Sequence, residues 1–342
     1  MKPLFPAMLA MALLLSCSGA PKTGSDRVVV AYVTSWTDVM PDPSVLTHIN
    51  YAFGGVTPTF DGVRISNEDR LRSIVALKRQ APDLKICLSV GGWGSGNFSE
   101  MAASDSLRGA FAADCARVAD AFGLDGIDID WEYPTQNGAG ISSSPDDTKN
   151  FTLLMRDLRT ALGPDRLLTL ATVSTAQYID FPAILPYIDF VNIMSYDMGW
   201  APKHNAPLYR SDASGKTTPI AGDVTADEAV RAHLAAGVPP EKLVMGMPFY
   251  GRGKREAYGD YKNFKDIQGP REGDVEVWDE IARVPYYADS EGTLLLGFDN
   301  VRSIQEKCNY LLEKGLHGAM YWDYSGDNAD LDLAKTIANA IL

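Results

Sequence analysis

Eight short runs rich in β-branched and aromatic residues alternate with longer amphipathic stretches, and this alternation constrains the fold more than any other feature. The strand-like runs are residues 28–36, 48–56, 85–93, 126–133, 167–173, 190–197, 243–251 and 318–325. The helical patterns are residues 67–80, 106–122, 147–162, 225–236, 303–314 and 331–342. Strands that alternate with helices are typical of parallel sheets with crossover helices. Eight such units predict the α/β class and a (β/α)8 TIM barrel.

One segment lies outside this repeat. Residues 253–316 separate the seventh strand-like run from the eighth, and they include an aromatic-rich stretch around Tyr258. We therefore expect a short insertion after strand 7, which accounts for a chain of 342 residues where a minimal barrel has roughly 250. No linker-like composition separates the insertion from the barrel, so residues 27–342 are predicted to form one domain.

The first residues have the pattern of a targeting segment. Lys2 gives a cationic start, and residues 4–15 form an apolar run that is too short to span a bilayer as a mature helix. The run ends in the sequence LLSC at Cys17, which resembles the lipobox of bacterial lipoproteins. We expect residues 1–16 to be a signal peptide, Cys17 to be lipidated, and residues 17–26 to be a flexible tether. This predicts a membrane-anchored lipoprotein of the cell envelope, with plain secretion as the alternative.

Charge and composition exclude several classes of function. Lys and Arg total 31 and Asp and Glu total 44, which gives a net charge of −13 that repels phosphate backbones. We therefore expect no nucleic-acid partner. The four histidines are scattered without a metal-ligand spacing, so we expect no metal and no cofactor. Cys87, Cys115 and Cys308 fall in apolar patterns and are expected to be buried thiols, and the protein is expected to be a monomer.

The segment 124–134 carries three carboxylates at every second position. Side chains alternate faces along a strand, so Asp128, Asp130 and Glu132 are expected to face the barrel lumen, with Glu132 nearest the C-terminal mouth, where barrel active sites lie. Neighbouring carboxylates separate each other's pKa values, which suits a neutral general acid beside an ionised partner. The alternative is an ion-pair or calcium cluster, but calcium loops use irregular backbone with glycine turns.

This acidic run resembles the Asp-x-x-Asp-x-Asp-x-Glu signature of family 18 glycoside hydrolases, the chitinase family. Other motifs with the same resemblance are the sequence SVGG at 89–92, the sequence MSYD at 194–197, Tyr250-Gly251-Arg252 after the seventh strand, and Trp322 on the eighth. The likeness extends from about residue 28 to residue 327.

The strand geometry and the resemblance together suggest a mechanism. Asp130 and Glu132 share one strand face and would lie on the same side of a bound sugar, which makes Asp130 a poor direct nucleophile. The resemblance implies that the substrate's own 2-acetamido oxygen attacks C1, with retention of configuration. Glu132 would be the acid and then the base, and Asp130 would hold the acetamido N–H above Asp128. Tyr196 would donate to the acetamido carbonyl oxygen.

The resemblance also implies a set of substrate-binding residues. Trp322 would be the floor of the cleavage subsite, and Asp197 and Arg252 would hold the sugar there. The remaining candidate binding residues are Tyr32, Phe53, Trp93, Met194, Trp200 and Tyr250, with Trp36 and Trp278 as further candidate sugar platforms.

The predicted function is hydrolysis of β-1,4 linkages in N-acetylglucosamine polymers or oligomers, such as chitin. One alternative is an endo-β-N-acetylglucosaminidase that acts on N-glycans or other host glycans, although Trp131 after the third Asp favours the chitinase type. Another is a non-catalytic, lectin-like chitin-binding protein, against which the presence of Glu132 argues. Remodelling of cell walls or spores is a fourth possibility. The insertion is shorter than in many family members, which predicts a shallow groove.

Overall fold

The structure, a computed structural model, describes residues 27–210 and 222–342. Its strands are β1 Val28–Thr34, β2 His48–Val56, β3 Val63–Ile65, β4 Lys85–Gly91, β5 Gly126–Asp130, β6 Leu167–Val173, β7 Val191–Met194, β8 Leu243–Pro248, β9 Tyr250–Gly253, β10 Lys262–Asn263, β11 Val275–Asp279, β12 Val284–Ala288, β13 Leu294–Gly297 and β14 Gly318–Trp322. Its helices are α1 Glu68–Val75, α2 Phe98–Ala103, α3 Asp105–Phe122, α4 Asp147–Leu162, α5 Phe181–Ile184, α6 Ala226–Ala235, α7 Val301–Glu313 and α8 Asp332–Ile341.

Eight parallel strands form a closed barrel in the order β1-β14-β8-β7-β6-β5-β4-β2. The barrel closes through β1, in which Val30 is paired with His48 of β2 on one side and with Met320 of β14 on the other. Helices surround the barrel, and every residue of β1 is buried. The predicted (β/α)8 TIM barrel is confirmed.

Local sequence signals fix the ends of the surrounding helices. The Ser104 hydroxyl accepts the backbone N–H of Leu107 at the start of α3, and Gly123 ends that helix at φ 69°, a left-handed conformation that glycine adopts without strain. Thr225 and Glu228 form a reciprocal capping box at the start of α6. These helices therefore begin and end within two residues of the predicted bounds.

The insertion is a five-stranded antiparallel sheet in the order β10-β9-β13-β12-β11. This sheet begins at Tyr250 and ends at Gly297, whereas the predicted insertion was 253–316. The difference arises because α7 packs against α8 and β14 and is the seventh helix of the barrel. A buried ion pair between Lys307 of α7 and Asp299 joins this helix to the end of the sheet, with Nζ–O distances of 2.6 and 2.7 Å.

Other differences from the predicted elements are small. The acidic strand ends at Asp130, so Glu132 lies in the turn that follows rather than on the strand itself. The six-residue α2 is too short to show a periodic pattern. Cys87, Cys115 and Cys308 are buried free thiols, as expected. Cys17, the signal peptide and the tether lie outside the described residues, and within 27–210 and 222–342 no helix has the length and apolar character to cross a membrane.

Candidate active site

A cavity of about 670 Å³ opens at the C-terminal ends of the barrel strands. Of the predicted site residues in the described chain, all line this cavity except Asp128, which lies beneath it, and the candidate platform Trp278. The predicted lining residues are Tyr32, Phe53, Trp93, Asp130, Glu132, Met194, Tyr196, Asp197, Trp200, Tyr250, Arg252 and Trp322. The structure therefore brings together residues from seven of the barrel strands or the segments that follow them.

The side chains of the acidic segment alternate between the barrel lumen and the outer layer, as the strand alternation predicts. Asp125 lies at the entry of β5, where it accepts the backbone N–H of Ile86 at 2.8 Å and pairs with Lys78 at 2.7 Å. Trp131 points outward and stacks on Phe98, with ring centroids 5.3 Å apart. These residues hold the segment in place from outside the lumen.

Asp128 is fully buried and accepts hydrogen bonds on both oxygens. Tyr32 and Ser89 donate to Oδ2 at 2.7 and 2.8 Å, and Thr169 and Asn192 donate to Oδ1 at 2.6 and 3.3 Å. Burial raises the pKa of Asp128, and these hydrogen bonds oppose that rise. A carboxylate with four donors is well suited to stay ionised inside the barrel.

Asp130 lies directly above Asp128 on the lumen face and is also buried. Burial raises its pKa well above the usual range, and the charges of Glu132 and Asp128 raise it further. Among the described residues, its Oδ1 has no hydrogen-bond partner. A buried acceptor without a partner is costly, so this oxygen is suited to receive a donor from a ligand.

The glycines of the SVGG segment allow the backbone to approach Asp130 closely. Gly91 has φ 132°, and a Cβ there would lie 1.9 Å from the carbonyl oxygen of Asp130. Gly92 has φ 93° and donates its N–H to the same carbonyl at 2.9 Å. A larger residue at Gly91 would displace the strand end that carries Asp130, and one at Gly92 would meet the Phe53 ring, 2.7 Å from an added Cβ.

Glu132 is half-buried and its pKa is raised to about 7. Burial is the main cause, and the charge of Asp197 adds to it. The Tyr133 hydroxyl hydrogen-bonds the Glu132 carboxyl and works in the opposite direction. A carboxyl that titrates near neutral pH can both donate and accept a proton during a reaction.

Polar groups from β7 and β9 face these carboxyls across the cavity. Among the described residues, the Tyr196 hydroxyl donates only to the weak acceptor Met320 Sδ, at 3.6 Å, and it is free to turn to a stronger one. Asp197 accepts from the Tyr250 hydroxyl at 2.7 Å and forms a bidentate pair with Arg252, with both distances 2.6 Å. This pair fixes one polar wall of the cavity.

Aromatic rings form the remaining walls. Trp322 stacks on Phe53 with centroids 5.5 Å apart and an interplanar angle of 18°, and Trp36 lies 6.3 Å from both rings. Trp93 is 67% exposed and Trp200 is 49% exposed. Rings that are held by neighbours yet open to solvent are ready platforms for an amphipathic ligand.

A comparison of the sequence with models of known protein families shows to which family this chain belongs. The family model described as glycosyl hydrolases family 18 matches residues 28–327, which is most of the chain. The chain belongs to glycosyl hydrolase family 18. The predicted resemblance and the prediction of an enzyme are both confirmed.

Several known proteins are similar to this chain. Chitinase A1 of Niallia circulans is 34% identical over 90% of this chain, and the chain spans 48% of that protein's length. The structure is similar to a family 18 N-acetylglucosaminidase from Paenibacillus barengoltzii, with a TM-score of 0.82, 35% identity, and coverage of 92% of this chain and 99% of that one. It is also similar to the Ostrinia furnacalis Group IV chitinase in complex with allosamidin, with a TM-score of 0.80, 27% identity, and coverage of 92% and 98%.

The family 18 site contains residues that the sequence analysis did not select. Tyr133 follows the acidic strand and bonds Glu132, and Tyr261 of the insertion stacks on Tyr250 with centroids 4.4 Å apart. The Trp322 indole N–H donates to the Tyr261 hydroxyl. The only sequence signals were the adjacency of Tyr133 to Glu132 and the aromatic-rich stretch around Tyr261.

One candidate platform lies elsewhere. Trp278 does not line the cavity; it stacks under the Arg302 guanidinium at 3.7 Å on the insertion sheet, and its Nε1 donates to Glu280. Trp36, in contrast, does line the cavity. Among the described residues, no group of His, Cys, Asp and Glu has the arrangement of a metal site.

Proposed function

We propose that this family 18 enzyme hydrolyses β-1,4 linkages of N-acetylglucosamine polymers or oligomers. The observation that carries the proposal is the pair of carboxyls at the cavity floor: Glu132, whose pKa is raised to about 7, beside Asp130, whose Oδ1 has no partner among the described residues. Known proteins similar to this chain are named as chitinases and as an N-acetylglucosaminidase, which supports a substrate that contains N-acetylglucosamine.

The first step in this mechanism breaks the glycosidic bond. Glu132 donates its proton to the leaving oxygen while the 2-acetamido carbonyl oxygen of the same sugar attacks C1, forming an oxazolinium ion. Asp130 accepts the acetamido N–H through its free Oδ1, and Tyr196 donates its hydroxyl proton to the acetamido oxygen. Both contacts orient the internal nucleophile.

The second step regenerates the enzyme. The Glu132 carboxylate removes a proton from water, which attacks C1 of the oxazolinium ion and reopens the ring to the acetamido group. Because C1 is attacked twice from opposite faces, the product keeps its configuration. The negative charge on Asp128, beneath the cavity, stabilises the positive charge of the intermediate.

The aromatic and polar walls suit a sugar ring held over Trp322. The Trp322 ring offers a flat apolar face, Phe53 supports it from one side, and the Asp197–Arg252 pair supplies hydrogen bonds at the edge. Trp93 and Trp200 lie exposed at the rim and are proposed to bind the sugars on the leaving-group side. Tyr32, Met194 and Tyr250 complete the pocket.

A glycan-panel assay with product analysis tests the proposal. We expect cleavage of acetylated chito-oligosaccharides, and we expect Glu132→Gln to lower the rate by about 10²–10⁴-fold while binding persists. Release from N-glycan cores without cleavage of chito-oligosaccharides would favour the endo-β-N-acetylglucosaminidase alternative. Binding of chitin without hydrolysis would favour the lectin-like alternative.

We also propose that Cys17 anchors the enzyme to a membrane of the cell envelope. Two or more acyl chains hold a protein firmly, because each buried CH₂ contributes about 0.8 kcal/mol. The described chain begins at residue 27, next to the start of β1, and the cavity lies at the opposite end of the barrel. An anchor on this side would leave the cavity open to glycans away from the membrane.

A further inference from the structure

The polar wall of the cavity depends on a backbone of uncommon conformation. Asp197, whose carboxylate accepts the Tyr250 hydroxyl and the Arg252 guanidinium, has φ 54°, in the left-handed region. A residue with a side chain adopts this conformation at a cost in free energy, and the conformation persists where neighbouring contacts hold it. The position of the Asp197 carboxylate therefore depends on the groups that hold its backbone.

One buried side-chain amide makes these contacts. The Asn205 Oδ1 accepts the Asp197 backbone N–H at 3.0 Å, and the Asn205 Nδ2 donates to the Tyr250 carbonyl at 3.2 Å. The Asn205 carbonyl also accepts the Met198 N–H at 3.0 Å. Asn205 is 1% exposed and does not line the cavity. A single side chain thus joins the segment after β7 to β9, and these two segments supply the Asp197–Arg252 pair.

The insertion sheet holds Asn205 through its neighbour. His204 is buried, and its Nε2 donates to Asp279 Oδ2 at 3.2 Å, at the end of β11. The other oxygen of Asp279 accepts two backbone N–H groups of the turn after β11, both at 2.9 Å. The His204 ring also packs on the Tyr286 ring of β12, with centroids 5.3 Å apart and an interplanar angle of 78°. These contacts leave His204 little freedom to move, and Asn205 follows it directly in the chain.

The segment also lies close to the strand that pairs with Arg252. Gly297 of β13 is paired with Arg252 of β9. A Cβ at Gly297 would lie 3.1 Å from the Asn205 backbone nitrogen and 3.3 Å from the His204 Cα, closer than a Cβ normally approaches other atoms. The segment that carries Asn205 therefore rests directly on the sheet that carries Arg252.

We propose that Asn205 is a positioning residue, which holds the Asp197 carboxylate where it acts on Glu132. The His204–Asp279 pair fixes Asn205 in turn from the insertion sheet. This inference rests on the proposed function. Because Asn205 lies behind the cavity wall, it acts on the reaction only through Asp197.

The charge of Asp197 makes this role measurable. Burial raises the pKa of Glu132, and the charge of Asp197 adds to this rise. A carboxylate that moves away raises the pKa less, because the interaction between charges weakens with distance. Loss of the Asn205 amide should therefore lower the pKa of Glu132 and move the alkaline side of the pH–rate profile downward. A loss of stability alone does not move that profile.

The test is a double-mutant cycle of Asn205→Ala and Asp197→Asn, read as kcat/KM for a chito-oligosaccharide across the pH range. Alone, Asn205→Ala should lower kcat/KM by about 10–10²-fold and move the alkaline side in the same direction as Asp197→Asn. In an enzyme that already carries Asp197→Asn, it should change kcat/KM by less than about twofold and leave the alkaline side in place. Equal effects in both backgrounds, or an unmoved alkaline side in the folded Asn205→Ala enzyme, would overturn the inference.

Asn300→Ala is the matched control. Asn300 precedes α7, where its Oδ1 accepts the Ser303 backbone N–H at 3.1 Å, and it does not line the cavity. Its replacement should lower stability and leave the alkaline side in place.

Two further outcomes are kept separate. If Asn205→Ala does not fold, Asn205→Ser enters the same cycle, because serine keeps a polar group but is too short to reach both partners. If the wild-type enzyme cleaves no chito-oligosaccharide, the proposed function fails, and the cycle is read on the glycan of the panel that the enzyme does cleave.

Discussion

Tyr133→Phe should move the alkaline side of the pH–rate profile upward. The Tyr133 hydroxyl hydrogen-bonds Glu132 and lowers a pKa that burial has raised to about 7. Loss of the hydroxyl removes this opposing effect. The ring contacts do not depend on the hydroxyl and should persist, with Trp93 at 6.4 Å and Tyr178 at 6.0 Å between centroids.

The size of the shift follows from the charge on the acceptor. A hydrogen bond to a charged group contributes about 1.5–3 kcal/mol, and the neutral acid keeps roughly half of it because its carbonyl oxygen still accepts. The difference between the two protonation states is then about 0.8–1.5 kcal/mol, or about 0.5–1 pKa unit. The acid form of Glu132 is the active one, so activity is present below its pKa and is lost as the pH rises through it.

The assay is kcat/KM for a chito-oligosaccharide measured across the pH range. The wild-type enzyme should lose activity as the pH rises through about 7, and Tyr133→Phe should lose it about 0.5–1 unit higher. Asp197→Asn provides an opposed variant, because the Asp197 charge raises the pKa of Glu132 and its loss should move the alkaline side downward. An alkaline side that stays fixed or moves down in Tyr133→Phe would refute the assignment of Glu132 as the proton donor.

Three other predictions concern stability and anchoring. Lys307→Ala leaves the Asp299 carboxylate buried without its cation. Urea unfolding should show that the free energy of unfolding falls by about 3–5 kcal/mol. A fall below about 1 kcal/mol would contradict a stabilising role of the pair. Burial lowers the pKa of His233 to about 4 in the folded protein. Between about pH 6.5 and 4, His233 therefore takes up a proton in the unfolded chain but not in the folded one. The free energy of unfolding should fall by up to about 3 kcal/mol as the pH drops through that window. Thermal unfolding of His233→Gln at both pH values checks this, and an unaltered pH dependence would count against it. Cys17→Ser should move the protein from the membrane fraction to the soluble fraction or leave it unprocessed, and a soluble wild-type protein with an N-terminus beyond residue 17 would support plain secretion.

The barrel was predictable because its signals are local and periodic. Each parallel strand is an apolar run, and the acidic strand places Asp128 and Asp130 on one face by simple alternation. The same rule explains why Trp131 packs outward on Phe98. The family 18 motifs then identified the residues that converge at the strand ends.

The positions that sequence reasoning missed depend on contacts between distant segments. Tyr133 follows the end of β5, where strand alternation no longer fixes the direction of a side chain. Tyr261 reaches the site because β10 pairs with β9 inside an insertion that has no periodic pattern.

The most direct test of the account compares initial rates on the acetylated N-acetylglucosamine hexamer and on the same oligomer after complete deacetylation. If the acetamido oxygen is the nucleophile, the wild-type enzyme should cleave the acetylated hexamer with retention of the β-anomer, as read by NMR immediately after cleavage, and a thiazoline analogue of the oxazolinium ion should inhibit it. The wild-type enzyme should cleave the deacetylated hexamer very slowly. Its rate on that substrate should not exceed the rate of the Glu132→Gln enzyme on the acetylated hexamer. Equal rates on the two hexamers would contradict the mechanism.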